Sequence, residues 1–127
     1  MSDLEILIET GNRLMDSQQY MEAISHYTRA LELDSTLVDV RVDRGSCYFA
    51  VGRNEDAKSD FEIALEQDPE HAIAHFNLGI IYGSLGDESQ MVEYWNKYLE
   101  LDPDGELADR VRDFLQEHNL AESTDSI

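Results

Sequence analysis

Residues 75–86, HFNLGIIYGSLG, place Gly79, Gly83 and Gly86 in an otherwise apolar run. Clustered glycines ahead of a helix can wrap a phosphate in backbone N–H groups, usually with a Lys and a Ser or Thr to follow. Here the spacing fits neither G-x-G-x-x-G nor G-x-x-x-x-G-K-[ST], and no Lys follows until Lys97. Nucleotide binding is therefore not expected. His71 and His75 stand four apart, which can set two imidazoles on one helix face for a metal. No Cys or third ligand accompanies them at a recognisable spacing, so His71 reads as a helix start and His75 as a packing residue. His26 and His118 have no partners nearby in sequence. Cys47, beside Tyr48, reads as a buried small hydrophobe. The carboxylates are spread over what would be solvated faces, and no nucleophile, base and orienter come together. The chain is expected not to be an enzyme, with no catalytic residue, no metal and no cofactor.

The bulk properties point the same way. The chain has 127 residues, 42% of them hydrophobic, with seven glycines and two prolines, which suits one domain with a core. Asp and Glu number 28 against nine Lys and Arg, a net charge of −19, and Lys58 and Lys97 are the only lysines. So acidic a surface repels nucleic acid and anionic lipid, so neither nucleic acid nor a membrane is an expected partner. A basic partner would complement it; a salt-adapted host would account for it equally well. The opening MSDLEILIETGNRLMDSQQY has no basic leader, and no run approaches the roughly 20 apolar residues of a membrane span. The single Cys47 excludes an internal disulfide. These features set the expectation of a cytoplasmic protein.

The glycines gain meaning from a repeat. Gly11, Gly45 and Gly79 are 34 residues apart, as are Leu14, Tyr48 and Tyr82, and Tyr27, Phe61 and Trp95. Ala23 and Ala57 are followed by Met91, and Ala30 and Ala64 by Tyr98. Gly52 and Gly86 correspond, with Gln18 in the first copy's place, and the copies close alike as LELDST, LEQDPE and LELDPD. A fixed period with the same chemistry at each offset marks a stacked repeat. Each copy holds two helical runs. Ala57, Phe61, Ala64 and Leu65 recur at helical spacing, Gly52 and Asn54 supply the turn, and Pro69 stops the second helix. Ser2 with Glu5 reads as a capping box on the first helix.

Leu78-Gly79-x2-Tyr82 in the third copy, Ala57-x3-Phe61 with Pro69 in the second, and the 34-residue period together resemble the tetratricopeptide repeat. The resemblance covers about residues 4–105. It implies an all-α fold, a right-handed α-α superhelix of three helix-turn-helix repeats at about 4–37, 38–71 and 72–105. A capping helix at about 106–118 would complete a single domain over 1–118, with 119–127 as a disordered tail. Leu107, Val111, Phe114 and Leu115 form the cap's apolar stripe, opposite Asp109, Arg112, Asp113 and Glu117. A terminal helix of this kind covers the greasy end of a stack.

Several residues read as structural. Gly11, Gly45 and Gly79 let a second helix approach closely, and Ala23 and Ala57 play the matching part on that helix. Arg44 stands where copy three has Leu78, and a charge there would be costly unless paired. Asp60 on the partner helix is the expected counter-ion. Gly83 has no counterpart in Met15 or Phe49 and is expected to loosen its helix or to leave a dent on its outer face. Met91 and Tyr98, in place of alanines, imply looser or different packing after copy three.

By the same resemblance, the first helix of each pair lines a concave groove. It would present Ile8, Glu9 and Asn12 from copy one, Asp39, Val42, Asp43, Ser46 and Phe49 from copy two, and Ile73, Phe76, Asn77 and Ile80 from copy three. Acids crowd the first two sets and the third is apolar. The function implied is a protein-interaction scaffold or adaptor for a basic or amphipathic peptide or protein. The alternative is a self-associating module, a homo-oligomer whose groove or repeat end pairs with another copy. Co-chaperones of this family grip a heat-shock protein's C-terminal carboxylate with Lys, Arg and Asn. At those places only Asn12 matches; Ile8, Ile73 and Asn77 replace the basic residues, and Asp43 replaces an Asn. That activity is not expected, because an acidic peptide end would be repelled.

Overall fold

The computed structural model describes residues 1–118 and 120. Seven α-helices make up the secondary structure of these residues: α1 Asp3–Asp16, α2 Tyr20–Leu33, α3 Val38–Ala50, α4 Asn54–Gln67, α5 Ala72–Ser84, α6 Glu88–Leu101 and α7 Glu106–Glu117. Of the tail expected over 119–127, Leu120 alone is described, and the rest lies outside the described residues. The chain divides into two compact units, Met1–Pro69 and Glu70–Ile127. The first holds the hairpins α1–α2 and α3–α4, and the second holds α5–α6 and α7.

Helix starts follow local chemistry. The Ser2 hydroxyl accepts the Glu5 N–H at 3.1 Å and caps α1, while the Glu5 carboxylate accepts from that same hydroxyl at 3.1 Å and so completes only half of the expected capping box. His71 caps α5 through Nδ1, which accepts the Ala74 N–H at 3.2 Å. The three turns inside the hairpins repeat one backbone bond. Gln19, Arg53 and Asp87 donate N–H to the carbonyls of Leu14, Tyr48 and Tyr82 at 2.8, 2.8 and 2.9 Å. Closing that bond needs a left-handed residue just before the donor. Gly52 and Gly86 adopt it at φ +82° and +81°, and Gln18 is forced into it at φ +62°.

Packing within each hairpin rests on a ring laid against a glycine. A Cβ on Gly11 would lie 2.7 Å from Tyr27 Cε1, and one on Gly45 would lie 2.7 Å from Phe61 Cε1. On Gly79 it would collide with Cδ1 and Nε1 of Trp95. Ala23, Ala57 and Ala64 are fully buried, as is Tyr27, and Phe61 nearly so. In the first unit Leu7, Ile24, Leu31, Val40 and Cys47 form one buried cluster with Ala23, Tyr27 and Ala30. In the second unit Met91, Trp95 and Tyr98 of α6 share a core with Ala108, Val111 and Leu115 of α7.

One sequence expectation is corrected here. Gly83 leaves no dent, because a Cβ there would sit 2.8 Å from Met91 Sδ. The side chain that replaced an alanine fills the space that the missing side chain opened. The packing after copy three is different, as the sequence implies, and not looser: Met91 and Tyr98 are both buried in a core shared with α7, and the Tyr98 hydroxyl donates to Asp102 at 3.1 Å.

Gly45→Leu should overpack the Phe61 contact and lower the unfolding free energy by about 1–3 kcal/mol in urea titrations. Phe61→Leu on that background should return part of the loss. Gln18→Gly relieves a left-handed non-glycine and should stabilise the chain by about 1 kcal/mol in the same assay.

Candidate peptide-binding faces

The expected Arg44–Asp60 pair is formed. Arg44 donates through Nε and Nη2 to the two Asp60 oxygens at 2.8 and 2.6 Å, a bidentate link from α3 to α4. Its Nη1 donates to Thr28 Oγ1 on α2 at 3.2 Å, so one guanidinium ties three helices. Arg41, which sequence reading had not connected, joins it: Nη1 stands 3.7 Å from Asp60 Oδ1, and Nη2 donates to the Ser35 carbonyl at 3.2 Å. The hydrogen bonds to Asp60 hold the Arg44 guanidinium above its usual pKa, against the opposing effect of burial.

The residues assigned to the inner face fall into three groups. Glu9, Asn12, Asp39 and Ile73 are exposed. Ile8, Asp43, Ser46, Phe49, Phe76, Asn77 and Ile80 are half-buried. Val42 is 4% exposed, and its place on an inner face is corrected: it is a core residue. The buried arc of α3 includes Val40, Val42, Gly45 and Cys47, which is wider than a single stripe and takes Val42 with it. Asn12 is not free to turn, since its Oδ1 accepts the Tyr27 hydroxyl at 2.6 Å. Its amide N–H groups therefore point away from that bond. Burial is the main cause that pushes the Tyr27 hydroxyl pKa up, with Asp43, Cys47 and Asp16 adding to it. Burial likewise pushes the Cys47 thiol up to about 11, with Asp43 contributing. A neutral, enclosed thiol is a packing group, not a nucleophile.

In the second unit the α5 residues back onto aromatic rings. The Phe76 ring lies 6.1 Å from Trp95, stacked, and 5.4 Å from Tyr98. Trp95 Nε1 donates to the Phe76 carbonyl at 3.0 Å, which fixes the indole under that ring. Phe114 meets Trp95 edge-on at 5.3 Å and stacks on His118 at 4.1 Å. Phe114 is therefore at the margin of the α7 stripe and 36% exposed, whereas Val111 and Leu115 are buried and Ala108 joins them. Phe76 and Ile80 lie partly open against this cluster, and Ile73, one turn before Phe76, is 39% exposed.

His71 is engaged as a helix cap, and His75 is buried with its ring 5.9 Å from Tyr94. Among the described residues no group of three or more His, Cys, Asp and Glu is placed to hold a metal ion. No described helix is long and apolar enough to cross a membrane.

A family profile described as tetratricopeptide repeat matches residues 42–106, and a second, described as TPR repeat, matches 11–52. The chain belongs to the tetratricopeptide repeat family. Its fold class is that of the all-α superhelical TPR proteins. It is 29% identical to Hsp70-Hsp90 organizing protein 1 of Glycine max over 118 residues, covering 92% of this chain and 21% of that one. The chain thus spans about a fifth of that relative's length. Among solved structures, the TPR protein YrrB, described as having an unusual peptide-binding site, matches with TM-score 0.80 and 28% identity, covering 89% of this chain and 58% of that one. The first TPR of Spaghetti (RPAP3), bound to the HSP90 peptide SRMEEVD, matches with TM-score 0.82 and 24% identity, covering 92% and 94%.

Asp60→Ala would leave two guanidiniums facing each other with no counter-ion, at a cost of about 3–5 kcal/mol in chemical denaturation. The loss should far exceed that of Asp56→Ala, whose partner Arg53 is half exposed to solvent.

Proposed function

We propose that this TPR chain is a non-enzymatic interaction adaptor, one domain over residues 1–118, that binds a peptide or protein through the first helices of its repeats. The observation that carries the reading is the α5 surface. Phe76 and Ile80 are left partly open to solvent although they pack against the cluster that holds Trp95 and Tyr98, and Ile73, one turn before Phe76, is exposed. A solvated face gains nothing from such side chains, whereas a partner's apolar anchor gains a rigid, aromatic-backed seat. Glu9, Asp39 and Asp43 on α1 and α3 form a second, acidic subsite that would steer and orient basic residues of the partner. Ile8, Asn12, Ser46, Phe49 and Asn77 complete the two subsites. Support comes from a relative named for organizing Hsp70 and Hsp90, and from a TPR neighbour described by its peptide-binding site.

The HSP90 peptide held by the RPAP3 neighbour is acidic at its C-terminal end. This chain carries Ile8, Asp43 and Ile73 where the family's carboxylate-gripping residues stand, and Asp43 would repel such an end. The ligand chemistry favoured here is the reverse, a peptide with Lys or Arg near one end and apolar anchors near the other.

Trp95 is the single tryptophan and lies under Phe76, so its fluorescence should report occupancy of the α5 subsite. Titration with synthetic peptides combining a Lys/Arg block and a Leu/Phe block should give saturable quenching or shift that weakens as NaCl rises. Ile73→Ser and Phe76→Ala should each weaken binding tenfold or more, about 1.4 kcal/mol, and Asp43→Ala by less. Binding that ignores salt and both α5 substitutions would place the partner elsewhere and end this reading.

A further inference from the structure

The first hairpin carries a second surface, on the opposite flank of α1. Ile6 and Ile8 are two positions apart, roughly 200° around a helix, so Ile6 faces away from the proposed peptide-binding side. A cleft of about 420 Å³ opens on the Ile6 side between α1 and α2. Its apolar floor and rim include Leu7, buried, with Ile6 48% and Leu33 62% exposed. Asp3 and Glu32 bring negative charge to the lining, and Arg29 brings positive charge.

The second hairpin shows what this flank is built to meet. Val40 stands one repeat after Ile6 and is 5% exposed, and Arg44 stands one repeat after Thr10 and bonds to Thr28 of α2. There the same flank is packed against a neighbouring helix. In the first hairpin no described residue covers it.

We propose that a second copy of this chain covers the cleft, the two α1–α2 flanks meeting about a two-fold axis. Charge selects that occupant. The chain carries −19, so most approaches of two copies bring acid against acid. At this cleft an exposed arginine and two carboxylates sit beside apolar side chains, and Arg29 makes no ion pair among the described residues. A two-fold operation sets Arg29 of each copy toward the carboxylates of the other, while Ile6 and Leu33 lose their water. The surface is self-complementary in both charge and hydrophobicity. It is independent of the peptide-binding reading, because the residues lie on the other side of α1.

Analytical ultracentrifugation of the full chain from about 5 µM to about 1 mM decides the matter, with NaCl raised to screen the overall repulsion. The expected result is a concentration-dependent rise from 14.5 kDa toward a dimer, stronger in high salt, the opposite trend to that expected of peptide binding. Ile6→Glu and Leu33→Glu, both at exposed sites, should weaken dimerisation tenfold or more with unchanged helical circular dichroism and melting. Ile73→Glu, on the other unit, should leave it intact. Arg29→Glu should weaken association, and Arg29→Glu with Glu32→Arg should restore it. A monomer at every concentration and salt, or a dimer indifferent to Ile6→Glu and Leu33→Glu, overturns the proposal. Titration with the Lys/Arg–apolar peptides is read separately through Trp95, so either idea can fail while the other stands.

Discussion

An aromatic ring lying on a helical glycine is the constraint from which the rest of each hairpin follows. Tyr27 on Gly11, Phe61 on Gly45 and Trp95 on Gly79 bring the paired helices together where any Cβ would intrude. Glycine inside a helix costs about 1 kcal/mol relative to alanine, so the contact has to return more than that through burial of a large ring. Each hairpin then adds a polar link beside the same contact, and each uses a different one. Asn12 holds the Tyr27 hydroxyl, Arg44 clamps Asp60 next to Phe61, and the Phe76 carbonyl holds the Trp95 indole. Ring and link together fix how the second helix rotates against the first. That rotation decides which side chains each first helix turns outward.

The third hairpin departs from the other two by exchanging volume rather than losing it. Met15 and Phe49 stand eight residues before Ala23 and Ala57, while Gly83 stands eight before Met91. Large-then-small becomes small-then-large across the same contact, and density is preserved. Tyr98, where the other copies have alanine, enlarges the core on the side that α7 covers. The result is an aromatic group, Phe76, Trp95, Tyr98 and Phe114, that closes the second unit while leaving Phe76 in reach of solvent. A surface backed this rigidly loses little conformational entropy when a ligand settles on it.

Much of this was legible in the sequence because the period converts spacing into position. Gly11, Gly45 and Gly79 announced close approach, and the second helices were known to be the approaching partners. The link between Arg44 and Asp60 was also legible, since a charge at a packing position must find an opposite one. What the sequence withheld are relations between two substitutions at once. Gly83 looked like a defect until Met91 was seen against it. Val42 was placed on the inner face by its offset in the family's repeat, yet α3 buries a wider arc. Arg41 gave no signal of its own, since its role depends on Asp60 and on the Ser35 carbonyl. The cleft beside Ile6 was unreadable for a different reason: an apolar residue at a packing offset reads as core whether or not anything covers it.

Electrostatics separates the two faces of α1 more sharply than shape does. Glu9 lies on the Ile8 and Asn12 side, where Asp39 and Asp43 of α3 belong to the same proposed subsite. On that side any approaching anion is opposed and any cation is drawn in. On the Ile6 side, Arg29 offsets part of the charge of Asp3 and Glu32, and the barrier to a second acidic body is lower there. Salt therefore acts on the two faces with opposite sign, weakening attraction at one and relieving repulsion at the other. Because the surfaces diverge around one helix, occupying either leaves the other accessible. On the two proposals, a cationic ligand and a second copy of a chain with −19 net charge would not compete for the same atoms.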